Sequence, residues 1–473
     1  MTILRCTQCS ATLKPYPPRY KCEKCGGLLE YTLDFKQLRG IKLAGTISFW
    51  KYKQLLPEVK NTVTLGEGGT PLHKATRLAK KLGLSTVYLK DETRNPTNSF
   101  RDRCAALMVS NALDLKYNSM VCASNGNLGA SSAAYCAKSG LMCHIIVPKL
   151  VDMGKLAQML IYDAILDERG EIVDDSIERA ESLAAETGWY QATAELNPLV
   201  IEAQKTIAYE VAEQIGVPDW FVVSMGSGGI IYSIWKGFKE LQTLGKVETL
   251  PKMVGVQAHG CAPIVNAHLK SKSKPTVVHK PSTHALGILV RTPLNGIWAL
   301  KALTESKGIA VSVSDSEIFT AEQKIARLEG IFAEPASSAT IAALEKMVTQ
   351  GTINKKDSVV CLITASGLKA TDVLQALTKK RKTAGVGLEL STKEKILRIL
   401  SRRDAYGYSL WKKLGKTMTR TAIYQHLNSL SQKGLVVAYA KDGKNYFKIT
   451  NRGRRVLHAL DEIKLLLRHH GKA

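Results

Sequence analysis

Four cysteines near the N-terminus are spaced for metal chemistry. Cys6-Thr-Gln-Cys9 and Cys22-Glu-Lys-Cys25 are two C-x2-C knuckles with 12 residues between them. Each knuckle can aim two thiolates at one ion, and two knuckles close a tetrahedral site with no position left for water or substrate. The spacing predicts a structural zinc held by Cys6, Cys9, Cys22 and Cys25 in a ribbon over residues 1–40, with Gly26-Gly27 making the sharp turn. A redox dithiol is the competing reading, but it has no use for a second pair at ribbon distance. The other cysteines, Cys104, Cys122, Cys136, Cys143, Cys261 and Cys361, fall in apolar segments that suit buried thiols.

A second set of residues could bind an anion. Asn125-Gly-Asn127-Leu-Gly129 and Gly226-Ser227-Gly228-Gly229 each follow a short apolar run and precede a helix-like segment. With no Cβ in the way, the backbone amides of such loops can cradle a phosphate dianion. A plain tight turn between strand and helix has the same composition. The elements that would position these loops are legible over residues 41–377. Short β-rich runs at Thr86–Leu89, Ser119–Cys122, Cys143–Val147, Trp220–Val223, Met253–Val256 and Val359–Ile363 alternate with amphipathic helical patterns. That alternation predicts a parallel α/β sheet covered on both faces, which binds ligands at the carboxyl ends of its strands.

The order of the motifs adds what no single loop carries. Gly66-Glu-Gly-Gly-Thr-Pro-Leu72, Asn95-Pro-Thr-Asn-Ser-Phe-Arg101, Ala123-Ser-Asn-Gly-Asn127, Gly226-Ser-Gly-Gly229, Glu334-Pro-Ala-Ser-Ser338 and Thr364-Ala-Ser-Gly-Leu-Lys369 follow one another along the chain. From Cys6 to Leu377 the sequence resembles threonine synthase, an enzyme of pyridoxal phosphate (PLP). The resemblance implies a two-lobed, doubly wound scaffold of PLP fold type II. It implies Asn127 facing the PLP ring hydroxyl, Gly226, Ser227, Gly228 and Gly229 holding the phosphate, and Thr364 meeting the pyridine nitrogen.

One position departs from that pattern. Arg101 stands where the family carries the lysine that bonds the cofactor covalently. Forming that bond needs a neutral primary amine, whereas a guanidinium has a pKa above about 12 and stays charged. The expectation is a non-catalytic scaffold that binds PLP without a covalent bond, a PLP–amino acid aldimine, or a phosphorylated amino acid. Arg101 would pair with a carboxylate or phosphate of that ligand, or simply fill space. The competing reading is an active threonine-synthase-like lyase using another amine; Lys90, Lys155 and Lys369 lie in or near the matching segments. Ala370 is a second departure, where the family tends to carry Asp.

The net charge of +25 is unevenly placed: Thr378 to Ala473 hold 23 basic and 6 acidic residues, or +17, against +8 for all the rest. Charge concentrated in this way predicts a polyanionic partner, with a solubilising tail as the bland alternative. A basic linker spans 378–390, and a folded pattern then fills 391–473. Ser391-Thr-Lys-Glu394 is a capping box before Ile396, Leu397, Ile399 and Leu400. Ser409–Leu414 is a second helix, Thr419 caps a third over Arg420–Leu430, and two alternating strands flank Lys441-Asp-Gly-Lys444, a hairpin signal.

Three helices and a hairpin make a winged helix. Through Thr421-Ala-Ile-Tyr-Gln-His-Leu427, the Gly434-Leu-Val turn and Tyr446-Phe-Lys-Ile-Thr450 it resembles the PadR and ArsR types of transcription regulator. The resemblance implies double-stranded DNA as partner, although winged helices also bind protein. Thr419, Arg420, Thr421, Tyr424, Gln425 and His426 would meet the major groove, and Lys441, Lys444 and Lys448 the phosphates. Val456, Leu460, Ile463 and Leu467 read as a terminal helix that either dimerises or packs within the chain. No basic segment leads into an apolar run, and no apolar stretch reaches about 18 residues, so a cytoplasmic protein is expected. The whole reads as a homodimeric, ligand-responsive regulator, or as a DNA-binding protein that uses its scaffold only to dimerise.

Overall fold

The computed structural model describes residues 3–370, 391–414 and 419–458. The chain divides into two units, 1–376 and 377–473. The linker at 378–390 and the terminal-helix positions Leu460, Ile463 and Leu467 lie outside the described residues.

At the start of the first unit, β1 (Ile3–Cys6), β2 (Thr12–Leu13) and β3 (Leu29–Thr32) form an antiparallel sheet in the order β2-β1-β3. Leu4 and Cys6 alternate inward with exposed Ile3 and Arg5, as a half-buried strand requires. Leu4 and Leu29 share a core with Leu107, Met108 and Tyr135 of the neighbouring lobe. The ribbon is thereby packed onto the scaffold.

Ten strands follow: β4 (Leu72–Lys74), β5 (Thr86–Asp91), β6 (Ser119–Ala123), β7 (Met142–Val147), β8 (Ile165–Glu168), β9 (Tyr190–Gln191), β10 (Trp220–Ser224), β11 (Lys252–Ala258), β12 (Ile309–Val313) and β13 (Ser358–Ile363). They make two sheets, hence two lobes. The smaller is parallel in the order β8-β7-β6-β9, and the larger runs β12-β11-β10-β13-β5-β4. Every pair of the larger sheet is parallel except β4 with β5, so a sheet expected to be parallel carries one antiparallel edge. The β4, β8, β9 and β12 runs escaped sequence reading. They are edge strands that are short or incompletely buried, and their apolar signal is weak.

Period-2 alternation supplies the cover of the large sheet. Val222, Val254, Val359 and Cys361 point to one face and meet Ile341, Leu344 and Met347 of helix Pro335–Thr349. Phe221, Val223, Val360 and Leu362 point to the other and meet Ile231, Ile234 and Phe238 of helix Gly229–Thr243. Both faces being apolar, β10 is buried along its whole length.

In the second unit, helix Ser391–Arg402 precedes β14 (Ala405–Tyr406), helix Gly407–Lys413, helix Arg420–Gln432, and the hairpin β15 (Val436–Lys441) and β16 (Lys444–Ile449). Asp442 and Gly443 both take positive φ, 47° and 69°, which a two-residue hairpin turn of this hand needs. β14 adds a third strand, in the order β14-β16-β15, that the sequence did not advertise. Residues 451–458 are helical, with Val456 half-buried and Leu457 in the core.

Candidate functional site

Three sites emerge, one on each of the ribbon, the scaffold and the winged helix. In the ribbon, the four Sγ atoms of Cys6, Cys9, Cys22 and Cys25 all lie within 4.8 Å of one another. Cys6 and Cys25 are 3.5 Å apart, and Cys9 and Cys22 3.6 Å apart. An ion with Zn–S bonds of about 2.3 Å in tetrahedral array separates its sulfurs by roughly 3.8 Å. The four thiols therefore fit one metal ion. Gly27 is needed here because a Cβ would fall 3.0 Å from the Cys6 sulfur.

The scaffold site lies at the carboxyl ends of the strands. Ser124-Asn125-Gly126 links β6 to helix Asn127–Ser139, and the Ser124 hydroxyl accepts from the amides of Gly126 and Gly129 at 3.0 and 2.9 Å. Met225–Gly228 links β10 to helix Gly229–Thr243, and Gly228 adopts φ 99°. A side chain at Gly228 would collide with the Ala299 methyl and the Asn295 carbonyl. Thr364 follows β13, and its carbonyl accepts from the amide of Phe100, which fixes the start of helix Arg101–Asp114. Arg103 anchors the same helix from beneath through buried ion pairs to Glu92 and Glu210.

Arg101, Asn127, Gly226, Ser227, Gly228, Gly229 and Thr364 line one cleft at the carboxyl ends of the strands, where folds of this kind take their ligands. The sequence motifs thus converge, although they span more than half the chain. Asn127 leaves its Oδ1 buried and, among the described residues, without a hydrogen-bond partner while its amide donates to Glu334. A buried, unsatisfied acceptor beside a glycine loop fits a ligand that carries a hydroxyl and a phosphate. The lining would admit PLP, whose phosphate Gly226–Gly229 would serve and whose hydroxyl Asn127 would meet. Bound PLP supplies an electron sink for reactions of amino acids, but the residue that would bond it is a guanidinium. The Thr364 hydroxyl is itself engaged with Ser337 at 2.7 Å.

The cleft wall also holds Lys155 and Glu334, which the sequence motifs brought forward without a role, and Glu195, which no motif included. Lys155 reaches Asp152 at 2.8 Å and Glu334 at 3.2 Å. Burial alone would lower its pKa, but those two carboxylates outweigh burial and hold the ammonium charged. It is the lysine of the cleft wall, and it is not a neutral nucleophile. Lys369 is held down at about 8 by burial, only partly offset by Asp102; it donates to the Thr97 carbonyl at 2.7 Å and lies outside the cleft wall. Lys90 is buried against Glu210.

Arg101 is partly exposed toward the cleft and its guanidinium lies 4.7 Å from the Phe100 ring. Burial raises the pKa of Glu195, and the nearby Arg101 charge pulls it back in part.

On the winged helix, Ile423, Leu427 and Leu430 of helix Arg420–Gln432 face the core. Thr421, Tyr424 and Gln425 stand exposed on the opposite side, and His426 is half-buried. Thr419 caps the helix by accepting from the Ala422 amide at 3.2 Å. Arg420 is exposed, but its guanidinium sits over the rings of Tyr408 and Trp411 at 4.8 and 5.0 Å. Lys441, Lys444 and Lys448 are exposed on the hairpin, where Lys444 and Lys448 share a face with Tyr446. A groove that sequence reading overlooked adds Lys395, Arg402, Arg403 and Lys413 to the basic surface.

Comparison with known proteins agrees with both units. A model described as pyridoxal-phosphate dependent enzyme matches residues 63–365, and one described as transcriptional regulator PadR-like family matches 396–459. A threonine synthase of Methanosarcina acetivorans is 42% identical over 373 residues, covering 77% of this chain and 92% of that protein. One of Methanocaldococcus jannaschii is 39% identical over 408 residues, covering 84% and 99%. In solved structures, processed threonine deaminase isoform 2 of Solanum lycopersicum shares the fold with a TM-score of 0.57 at 21% identity, over 67% of this chain and 84% of that one. Maize serine racemase matches with a TM-score of 0.57 at 17% identity, over 66% and 92%. Among the described residues no helix is long and apolar enough to cross a membrane.

Proposed function

The chain belongs to the pyridoxal-phosphate dependent enzyme family, with threonine synthases among its relatives and a PadR-like domain at its C-terminal end, and from that premise we propose that it is a DNA-binding transcription regulator whose sensor is a non-catalytic threonine-synthase-like scaffold. The single observation that carries this reading is Arg101 at the head of helix Arg101–Asp114, inside a cleft otherwise furnished for PLP or a phosphorylated amino acid. A guanidinium cannot donate the neutral amine that covalent catalysis needs. The lysine of the cleft wall is held as an ammonium by two carboxylates, which supports binding over turnover.

The recognition helix and the basic wing supply the DNA arm of the proposal, with Thr419, Arg420, Thr421, Tyr424 and Gln425 toward base edges and Lys441, Lys444 and Lys448 toward phosphates. The protein acts as a homodimer, so that two recognition helices meet a palindromic site. Zinc is the structural metal of the four-cysteine cluster. A ligand in the cleft changes DNA affinity only insofar as it prefers one arrangement of the protein. The test is binding of the full-length protein to DNA fragments selected from a random pool, with and without PLP. A ligand-dependent shift in affinity together with unchanged PLP after long incubation supports the sensor; turnover of an amino acid at the cleft overturns it.

A further inference from the structure

Across the outer face of the wing sheet, three tyrosines stand in one row. Register pairs Tyr406 of β14 with Tyr446 of β16, and Tyr446 with Tyr439 of β15. Ala405, Val436, Phe447 and Ile449 lie on the opposite face and enter the core, so the alternation of the strands turns the tyrosine row outward. The ring centroids are 5.4 Å apart between Tyr406 and Tyr446 and 5.9 Å between Tyr446 and Tyr439. Tyr439 is 37% exposed, and its ring is inclined by only 28° to that of Tyr446, an open stack that a further flat ring can extend. A cross-strand aromatic pair stabilises a sheet by itself and has no need of cations around it. Here Lys441 and Lys444 flank the row on the turn side and Lys448 on the other, all exposed on the same face. None of the three takes part in an ion pair among the described residues. Lys441 and Lys444 are direct cross-strand partners, an arrangement of like charges that costs stability until an anion lies between them. The Lys444 ammonium lies 4.9 Å from the centre of the Tyr406 ring, and Asp404 accepts from the Tyr439 hydroxyl at 2.7 Å, which holds that end of the row.

We propose that this face takes an unpaired strand of nucleic acid, its bases stacking on the row of Tyr406, Tyr446 and Tyr439 and its phosphates meeting Lys441, Lys444 and Lys448. The combination of rings and cations selects that partner. A duplex keeps its bases stacked on one another at a rise of about 3.4 Å and offers the tyrosines no ring face. An acidic peptide would use the lysines and leave the aromatic row idle. An apolar partner would bury three ammonium groups with nothing to pair them. A strand with splayed bases uses both sets of groups, and ring spacings of 5.4 and 5.9 Å leave room for bases that are not stacked on each other. The inference goes beyond the duplex reading of the recognition helix and shares with it only the wing lysines.

The test uses the full-length protein and labelled strands of about 12 nucleotides, within the site size of single-strand binders, followed by fluorescence anisotropy. The strands are oligothymidylate, oligouridylate and an abasic sugar-phosphate strand of equal charge. Stacking of one base on an aromatic ring is worth about five-fold in affinity or more. At least one base-bearing strand is expected to bind about ten-fold tighter than the abasic strand or better, and the tighter of the two tells whether DNA or RNA is the source. Tyr446→Leu should lower that affinity at least about five-fold, toward the abasic level, while Tyr446→Phe, which keeps the ring, should hold it within about two-fold of the parent.

Equal binding of abasic and base-bearing strands by the unaltered protein, a comparison that needs no variant to fold, overturns the inference, because the face then reads charge alone. A silent Tyr446→Leu overturns it as well. If a selected duplex binds and Gln425→Ala weakens it while the base-bearing strands show no advantage, the inference fails and the duplex reading stands. If the strands bind by stacking and no duplex can be selected, the duplex reading fails and the inference stands.

Discussion

At the scale of single residues, the chemistry turns on what occupies position 101. Arg101→Lys restores a primary amine at the head of helix Arg101–Asp114, in a cleft whose glycine loop, Asn127 and Thr364 are already in place. The variant incubated with PLP should yield a borohydride-trappable lysyl adduct, seen by mass spectrometry at position 101, and the unaltered protein none. An adduct on Lys155 or Lys369 of the unaltered protein would restore the lyase reading. A second residue tests the scaffold's electrostatics. Glu322, on helix Asp315–Glu329, is 3% exposed and leaves Oε1 without a partner among the described residues. Burial, aided by the Glu334 charge, pushes its pKa up to about 8. A carboxyl whose folded pKa is raised contributes stability that is full below about 4.5 and is lost as pH rises through about 8. Glu322→Gln should therefore gain stability over the parent by on the order of a few kcal/mol at pH 8 and by little at pH 4.5, read from denaturant unfolding of each. A difference that does not change with pH would remove the assigned cause.

At the scale of elements, the ribbon and the winged helix make separable predictions. Four thiolates on one structural ion supply much of the folding energy of so small a segment. One zinc per chain should therefore be found by elemental analysis, and Cys22→Ala should release it and expose residues 3–32 to proteolysis. A metal-free chain with a protected ribbon would contradict this. On the winged helix, Gln425→Ala should cost about 1–3 kcal/mol and relax preference at one base pair. Lys444→Ala should weaken every sequence alike and lower the salt slope by about 0.9. The elements themselves were largely legible. Strands such as β10 and β13 are apolar along their length, and the Asp442-Gly443 turn announced its hairpin. The edge strands β8, β9 and β14 were not, because runs of two to four residues are too short to show a period. Glu195 was equally silent in sequence, since only the fold brings it to the cleft wall.

At the scale of the whole molecule, the uneven charge and the ordered motifs told of two modules, while their convergence on one cleft needed the fold. Asn127, Gly226 and Thr364 follow β6, β10 and β13, which belong to two sheets, Arg101 opens a helix, and only the fold brings the four to one cleft. The basic groove of Lys395, Arg402, Arg403 and Lys413 likewise arises from two helices that no single motif joins. The central claim is that this scaffold binds without turnover and reports to the DNA-binding unit. The most direct measurement is fluorescence anisotropy of a selected DNA duplex titrated with the full-length protein, in the presence and absence of saturating O-phospho-L-serine and of PLP. The expected result is an affinity that one of these ligands shifts by at least about five-fold, the lower range of allosteric coupling, and that falls steeply with salt. An affinity indifferent to both ligands, though each is seen to bind, would contradict it.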